Sequence, residues 1–220
     1  MTTITCKCKA VEIEFNTDKD LFRLQCCCHD CNASVSYAAK RGGPQAPAAQ
    51  WVDSSWYPND FTITKGENKI GAFLNFENAD TTRFYCKECW TLLFGDHAVY
   101  DKKLVVTQIG SFKDFDGLKN TQRMDYQARH FIRDVPDSEI EKLPPWTSDP
   151  SRLYQSVADV LMESFPEIQK QGAEGTQMNA QILLEKIGPA FVPSDDRRLT
   201  GGPPTLIQQA WTEDGGSGNK

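Results

Sequence analysis

The sequence predicts a mainly β protein in which zinc ions staple antiparallel sheets together, followed by a C-terminal helical extension. Three observations lead to this fold class. Short β-type segments separated by turns run through residues 1–112. All 8 cysteines lie within the first 89 residues, where they form three clusters. Helical periodicity, with a recognisable helix start, begins only after residue 147.

The predicted strands begin at the N-terminus. Residues 4–10 place Ile4, Cys6 and Cys8 on one side of an extended segment, and residues 11–15 alternate with a period of two. A strand over Asp20–Cys28 follows, and a turn at Gly66 joins two later strands. The later strands cover residues 61–64, 69–76, 82–86, 92–94 and 104–108. Short strands of this kind favour stacked or tent-like antiparallel sheets over a parallel α/β fold.

A proline-rich stretch, Leu143–Trp146, marks a predicted domain boundary. We expect a zinc-binding domain over residues 1–146, a helical extension over 147–212 and a disordered tail over 213–220. The extension predicts one helix starting at residues 148–151, a second over 177–187 and a third, short one over 204–211. Packing of their apolar faces on the domain is favoured. A homodimer through these C-terminal helices, or a position at the mouth of the site, is the alternative.

Composition and charge exclude several classes of function. The formal net charge is -6, with no long basic tract, which disfavours nucleic-acid binding. The N-terminal residues lack the features of a signal peptide, and no apolar run reaches the length of a membrane helix. We therefore expect a cytoplasmic protein with no membrane partner. A reducing compartment disfavours disulfides and favours metal binding by the cysteines.

Four cysteines form a predicted structural zinc site. The two chain-distant pairs, C-x-C and C-x-x-C, are Cys6 with Cys8 and Cys86 with Cys89. In an extended strand Cys6 and Cys8 project to the same side. Four thiolates complete the tetrahedral coordination of zinc, so such a site holds the fold together and leaves no position for a substrate.

The middle cluster predicts a second zinc ion, with an open position. Cys26 and Cys28 share one strand face, and Cys31 returns after a short turn through His29 and Asp30. Three protein ligands with one exchangeable position are typical of catalytic zinc. Cys27 as a fourth ligand, which requires a sharp strand twist, and an approach by His29 are the alternatives. Because Asp30 and His29 are nearest to the ligands in sequence, they are the candidates for proton transfer.

The cysteine motifs also resemble those of a known family. In chain order they read Cys6-Lys7-Cys8, then Cys26-Cys27-Cys28-His29-Asp30-Cys31, then Tyr85-Cys86-Lys87-Glu88-Cys89-Trp90-Thr91-Leu92-Leu93-Phe94. Further matches are residues 61–67, Gly110-Ser111-Phe112 with Asp116-Gly117, His130-Phe131 and Trp146. Over roughly residues 3–146 the chain is similar to the glutathione-dependent formaldehyde-activating enzymes (the CENP-V/GFA family), which have an Mss4-like fold.

The resemblance implies the same division of the cysteines into a structural and a catalytic zinc site. It also implies carbon–sulfur bond formation or cleavage that involves glutathione and a carbonyl compound. Three positions depart from the family pattern: Cys27 replaces a histidine, Asn32 an arginine and Trp90 a glycine. These changes spare the metal ligands and leave the substrate open.

The leading functional hypothesis is a zinc-dependent carbon–sulfur lyase, or thiol-adduct enzyme, that acts on a glutathione or other thiol adduct of a carbonyl compound. The partner would be a small-molecule thiol adduct, and glutathione a co-substrate. The helical extension suggests a substrate bulkier than formaldehyde. A non-catalytic zinc-binding module that interacts with a partner protein is the alternative. A hydrolase or dehydratase that uses zinc-bound water is a further alternative, and it would act without added thiol.

Overall fold

The computed structural model describes residues 1–194, which contain two β-sheets and four α-helices. The smaller sheet has four strands in the order β10-β1-β2-β5, and every neighbouring pair is antiparallel. Its strands are β1 (Thr2–Thr5), β2 (Glu12–Phe15), β5 (Phe61–Lys65) and β10 (Leu118–Lys119). The prediction of a mainly β fold is confirmed.

The larger sheet has seven strands in the order β11-β3-β4-β9-β8-β7-β6. Its pairs are antiparallel except for β3 and β11, which run parallel with His130 opposite Cys26. The strands are β3 (Phe22–Cys26), β4 (Val52–Pro58), β6 (Ile70–Phe73), β7 (Thr81–Cys86), β8 (Leu92–His97), β9 (Leu104–Thr107) and β11 (Ala128–His130). This sheet carries most of the candidate site.

The main core lies where the two sheets face each other. Phe15 of the smaller sheet stacks on Tyr57 of the larger one, with ring centroids 5.0 Å apart. Phe84 and Phe94, on neighbouring strands, stack at 4.5 Å. These buried rings account for the alternating pattern of β2, whose inward residues Ile13 and Phe15 are fully buried. Aromatic burial of this kind contributes most of the apolar area that stabilises a sheet pair.

The segment after the second cysteine cluster is a helix, α1 (His29–Lys40), and the prediction of a short turn there is wrong. Cys28 is its N-cap, and the Cys28 sulfur accepts the backbone N–H of Cys31 at 3.4 Å. Asp30 lies in the first turn, where a negative charge is favourable. The helix buries Val35 and Tyr37 against the larger sheet and ends before Gly42 and Gly43.

The remaining helices are α2 (Asp137–Ile140), α3 (Asp159–Gln171) and α4 (Ala180–Ile187). The predicted helix start at residues 148–151 is only a 3₁₀ turn, Pro150–Arg152, capped by Asp149. After this turn the chain continues in an extended conformation, in which the N–H of Tyr154 donates to the carbonyl oxygen of Arg129. Helix α3 therefore begins several residues later than predicted. Helix α4 begins at its Asn179 cap, inside the predicted range 177–187.

Both C-terminal helices pack on the β-sheets. Leu161 and Ile168 of α3 are buried in a cluster with Trp56 and Tyr100, and Leu183 of α4 is fully buried in the main core. This is the arrangement that the sequence favoured, while a homodimer and the domain limits at 146 and 212 stay predictions. The predicted helix 204–211 and the tail 213–220 lie outside the described residues. None of the helices within residues 1–194 combines the length and apolar character that a bilayer span requires.

Candidate metal centres and the cavity beside them

The first candidate metal centre joins the N-terminus of the chain to the end of β7. The sulfur atoms of Cys6, Cys8, Cys86 and Cys89 all lie within 4.8 Å of one another. Cys6 and Cys8 do not lie in a strand as predicted. They lie in a tight turn after β1, in which the N–H of Lys9 bonds to the carbonyl of Cys6 at 2.8 Å. The turn brings both sulfurs to the same point.

The spacing of these sulfurs fits zinc. The Sγ atoms of Cys6 and Cys8 are 3.5 Å apart, and those of Cys8 and Cys86 are 3.8 Å apart. A tetrahedron with zinc–sulfur bonds of about 2.3 Å has edges of about 3.8 Å. Polar groups also orient the sulfurs, since the N–H of Val11 donates to Cys6 at 3.2 Å and Thr91 contacts Cys89 at 3.2 Å.

The second candidate centre lies at the junction of β3 and α1. The sulfurs of Cys26, Cys28 and Cys31 lie within 4.8 Å of one another, and Cys26 and Cys28 are 3.3 Å apart. Strand β3 supplies Cys26, the N-cap of α1 supplies Cys28, and the first helical turn supplies Cys31. Cys26 and Cys28 are buried and Cys31 is half-buried, so a cation here would meet three sulfurs and few water molecules.

The three thiols affect one another strongly. Hydrogen bonds from Cys26 and Cys28 lower the pKa of Cys31 well below its usual range, and the charge of Arg83 acts in the same direction. Hydrogen bonds to Cys28 and Cys31, together with burial, raise the pKa of Cys26 well above its usual range. Without a cation the cluster therefore favours one thiolate beside two thiols, and a cation among the sulfurs would favour the thiolate form of all three. The donor set, three soft sulfurs within 4.8 Å of one another, suits zinc.

The other residues predicted at this centre lie outside the sulfur cluster. Cys27 is fully buried just after β3 and does not belong to the cluster, and burial raises its pKa to about 12. His29 is exposed at the start of α1, with its N–H donating to Asp134. Burial raises the pKa of Asp30 to about 6, although Arg83 opposes the rise. Neither His29 nor Asp30 lines the cavity described next, and their role in proton transfer stays a prediction.

A cavity of about 120 Å³ adjoins the three-sulfur cluster. Cys26, Cys28 and Cys31 form part of its lining, and the larger sheet contributes apolar walls that include Trp56 and Phe94. Helix α3 also contributes to the lining, with Leu161, Met162 and Phe165. The four-sulfur cluster contributes no residue to this lining. Only one of the two candidate centres therefore faces a space that a small molecule can occupy.

Polar side chains interrupt the apolar lining at a few points. His130, Ser54 and Gln108 each have a buried polar atom without a hydrogen-bond partner among the described residues, and in His130 both ring nitrogens are unpaired. His97 accepts the N–H of Val99 at its Nδ1 atom, at 3.0 Å. Arg83 is 6% exposed and also lines the cavity. Unpaired polar atoms inside an apolar cavity are typical of a ligand site.

The sequence did not single out these cavity residues as functional. His130 belongs to a family match, the pair His130-Phe131, but nothing in its neighbourhood indicates a site. Arg83 lies in β7 and His97 in β8, and the sequence pattern of these two strands does not distinguish either residue from other sheet residues. Only the three-dimensional arrangement brings them to the cysteine cluster.

Comparison with known families agrees with this geometry. A family model described as glutathione-dependent formaldehyde-activating enzyme matches residues 1–129, more than half of the 220-residue chain. The chain belongs to the glutathione-dependent formaldehyde-activating enzyme family. Among solved structures, the crystal structure of a Rhodobacter sphaeroides protein from the Northeast Structural Genomics programme is similar to it. The sequence identity is 17% and the TM-score 0.33, over 50% of this chain and 85% of that one. No curated protein matches the chain.

Membership of the glutathione-dependent formaldehyde-activating enzyme family connects this chain to glutathione, and the two cysteine clusters have donor sets that can bind zinc. One departure from the family pattern now has a physical explanation. Trp90, where the family has glycine, has a φ of 54°, in the left-handed region that glycine adopts without strain. Trp90 stacks on Tyr85 with ring centroids 4.3 Å apart and also contacts Phe191 from the C-terminal extension. Its ring therefore anchors a segment that lies beyond the family match.

Proposed function

We propose that this protein is a zinc-dependent carbon–sulfur lyase, or thiol-adduct enzyme, which makes or breaks the bond between a thiol and a carbonyl-derived carbon. Glutathione is the thiol that family membership suggests. Formaldehyde, or a larger carbonyl compound, is the second reactant. Two zinc ions per chain are part of the proposal, a structural one on Cys6, Cys8, Cys86 and Cys89 and a catalytic one on Cys26, Cys28 and Cys31.

The observation that carries this proposal is the contrast between the two cysteine clusters. The four-sulfur cluster has the complete donor set of a closed site and contributes nothing to the cavity. The three-sulfur cluster has one donor fewer and lines the cavity. A purely structural site would not require an adjoining cavity with unpaired polar atoms. A protein-interaction module would present its features on the surface instead.

The reaction needs no external oxidant or reductant. Zinc held by Cys26, Cys28 and Cys31 would supply a Lewis acid with an open position, at which the pKa of a thiol falls. In the direction of adduct formation, the sulfur bonds to the carbonyl carbon and the carbonyl electron pair moves to oxygen. The proton of the thiol ends on that oxygen. In the direction of cleavage, the hydroxyl proton returns to the departing sulfur as the carbonyl forms again.

The protein's own residues would provide the surroundings for this reaction. The apolar walls exclude water, which strengthens charge interactions inside the cavity. Arg83 contributes a positive charge that favours a thiolate over a thiol. Burial lowers the pKa of His97, so its ring is neutral, and its Nδ1 accepts the Val99 N–H. The ring proton is therefore on Nε2, which can donate to a substrate oxygen. Asp30 and His29 remain the sequence-based candidates for proton transfer.

The test compares two cysteine variants in the zinc-loaded full-length protein. Cys28→Ser removes a member of the three-sulfur cluster, and Cys27→Ser is the matched control because the sulfur of Cys27, the adjacent residue, lies outside the cluster. Zinc per chain is measured by elemental analysis, and adduct formation from glutathione and formaldehyde, or a larger aldehyde, is followed by NMR. We expect Cys28→Ser to lose one zinc and its activity, and Cys27→Ser to retain two zinc ions and activity.

Other results would contradict the proposal in recognisable ways. A single tightly held zinc ion per chain in the wild type would show that the proposed catalytic site does not hold zinc. Equal activity of Cys28→Ser and wild type would show that the cluster is not catalytic. Activity that persists without added thiol would favour a hydrolase or dehydratase. A folded wild type that turns over none of a panel of aldehydes with glutathione, while binding a protein partner, would favour the interaction module.

A further inference from the structure

Arg83 is a buried guanidinium without a carboxylate partner in the described part of the chain. It lies on β7, is 6% exposed, and its Nη1 donates to the carbonyl oxygen of Thr81 at 3.2 Å. No Asp or Glu oxygen within residues 1–194 forms a salt bridge with it. The other buried arginine of this sheet, Arg129, donates to the Gln25 side chain and to the carbonyl oxygen of Pro144, and the half-buried Arg23 forms a two-point ion pair with Asp53. Each of these guanidinium groups has more protein acceptors than Arg83. Burying a guanidinium is costly unless an anion accompanies it.

The surroundings of Arg83 indicate where the missing anion belongs. Arg83 faces the cavity, and Gly95, its partner on β8, adds no side chain in front of it. Arg83 and the three sulfur-bearing residues line the same cavity. An anionic group of a bound molecule would therefore lie close to the sulfurs. The planar guanidinium can donate two parallel N–H hydrogen bonds to the two oxygens of a carboxylate.

The rest of the cavity sets the character of the group that carries this anion. Leu161, Met162 and Phe165 of helix α3 line the cavity together with Trp56 and Phe94 of the larger sheet. Such a lining favours a branched or aromatic hydrocarbon group. The peptide groups of glutathione would lose their hydrogen bonds to water against these walls without gaining partners. The tripeptide backbone of glutathione therefore does not suit this part of the cavity.

We propose that the cavity binds the carbonyl-derived half of the adduct, that this half carries a carboxylate which pairs with Arg83, and that its apolar group lies beneath helix α3. The substrate class is then a thiol adduct of an apolar oxo-acid or aldehyde-acid rather than of formaldehyde. This rests on the proposed function for the thiol, but the carboxylate subsite itself does not depend on turnover. Arg83 has the role of a specificity-determining residue.

The test uses two matched pairs of probes on the zinc-loaded full-length protein, with binding measured by calorimetry. The first pair is 3-phenylpropanoate and 3-phenylpropanamide, which contain no sulfur and differ only in charge. The second pair is glutathione and the amide of its glycine carboxylate, which asks whether the glycine carboxylate of the thiol uses the same subsite. The variants are Arg83→Gln, Arg83→Lys and, as the matched control, Arg123→Gln, which removes an exposed arginine outside the cavity lining.

We expect the wild type and Arg123→Gln to bind phenylpropanoate at least about tenfold more tightly than the amide, as a charge-assisted pair predicts. Arg83→Gln should bind both equally, and Arg83→Lys should keep part of the preference. Zinc content and thermal midpoint, measured for every variant, identify a variant that fails to fold. If Arg83→Gln does not fold, the preference of the wild type for phenylpropanoate over its amide, and the change of that preference in Arg83→Lys, test the proposal.

Three outcomes would overturn the proposal. The first is a wild type that binds both members of the phenylpropanoate pair equally, which would leave Arg83 only the role of neutralising the sulfur cluster. The second is a preference that survives in Arg83→Gln. The third is an Arg83-dependent preference in the glutathione pair instead, which would assign the subsite to the glycine carboxylate of the thiol. If the wild type prefers phenylpropanoate but never forms a thiol adduct, the proposed function fails while the subsite stands.

Discussion

His130 lies opposite Cys26 across the parallel pair of β3 and β11, and neither of its ring nitrogens has a hydrogen-bond partner within residues 1–194. Strand β11 thereby places a residue from a distant part of the sequence beside the three-sulfur cluster. Because the fold provides no partner for this buried imidazole, its polar atoms are free to contact a molecule in the cavity.

Replacing His130 should separate activity from folding. His130→Phe keeps a ring of similar size and removes no hydrogen bond within the described protein, so we expect the thermal midpoint and zinc content to stay at wild-type values. Adduct formation should fall by about tenfold or more if the imidazole contacts the reacting oxygen. His29→Gln is the control, since His29 is exposed and outside the cavity lining. Loss of activity in His29→Gln with an active His130→Phe would reverse the assignment.

Removal of the metal from the four-sulfur cluster should destabilise the protein. Cys6 and Cys86 connect the first turn of the chain to β7, so the cluster closes a loop of about eighty residues. Because structural zinc sites stabilise folds by several kcal/mol, we expect a strong chelator to lower the thermal midpoint by about 10 °C or more. Cys89→Ser should mimic chelation, whereas Cys27→Ser should not. A chelated protein with an unchanged midpoint would contradict a structural metal.

The pH dependence of stability should include a contribution from Asp96. Burial raises the pKa of Asp96 from 3.8 to about 6, although Gln181 donates to its carboxylate. The folded state therefore binds this proton more tightly than the unfolded state. Stability is retained below about pH 4 and lost as the pH rises to 6, by about 3 kcal/mol for this shift.

The side chain in Asp96→Asn does not ionise, so the variant should not lose stability as the pH rises, and its amide oxygen can still accept a hydrogen bond from Gln181. The variant should be more stable than the wild type at pH 7.5, and the difference should disappear near pH 4. Denaturant unfolding of both proteins at several pH values measures it. The difference between the two curves cancels the contributions of the cysteines and of Asp30. A variant that is less stable at pH 7.5 would show that the buried carboxylate is favourable when charged.

Gly66 should tolerate no side chain. Its φ is 74°, and a Cβ there would lie about 2.0 Å from the carbonyl oxygen of Ala10, next to the turn that carries Cys6 and Cys8. Gly66→Ala should cost more than about 3 kcal/mol, because backbone atoms must move. Gly42→Ala is the matched control, since Gly42 also has a positive φ, of 95°, but nothing within 4 Å. It should cost only about 1 kcal/mol. Equal costs in denaturant unfolding would show that φ alone matters.

Trp90 should couple to Phe191. Trp90→Gly removes the strain of the left-handed backbone but also the stacking on Tyr85, for a net loss of about 2 kcal/mol. A double-mutant cycle with Phe191→Ala should give a coupling energy of about 0.5–1 kcal/mol, because the two rings are 6.5 Å apart in an edge arrangement. Strictly additive losses would mean that Trp90 does not hold the extension.

The sequence predicted the parts of this molecule that depend on local patterns. The grouping of Cys6 and Cys8 with Cys86 and Cys89 follows from their motifs, and the structure brings them together. It also brings together Cys26, Cys28 and Cys31, and most strands were predicted from alternation. Helix α1 was missed because the segment 29–40 mixes polar residues with few periodic apolar ones, and its start depends on a cysteine cap.

The contents of the cavity could not be predicted in the same way. Strand β11 has only three residues, too few for a recognisable pattern, yet it places His130 at the cluster. The contacts of Leu161 and Phe165 with the cavity join residues more than 120 positions from Cys31. Apolar spacing in α3 predicted a buried face without saying what it covers.

Helix α3 lies wholly beyond residue 129, where the family match ends, and yet it walls the cavity next to the three sulfurs. The proposed catalytic cluster and the helix that lines the cavity beside it thus lie in different stretches of one polypeptide, and the family match covers only the first. Exchanging the C-terminal stretch between relatives that keep the same cysteines should redirect the enzyme to a different compound without altering its chemistry.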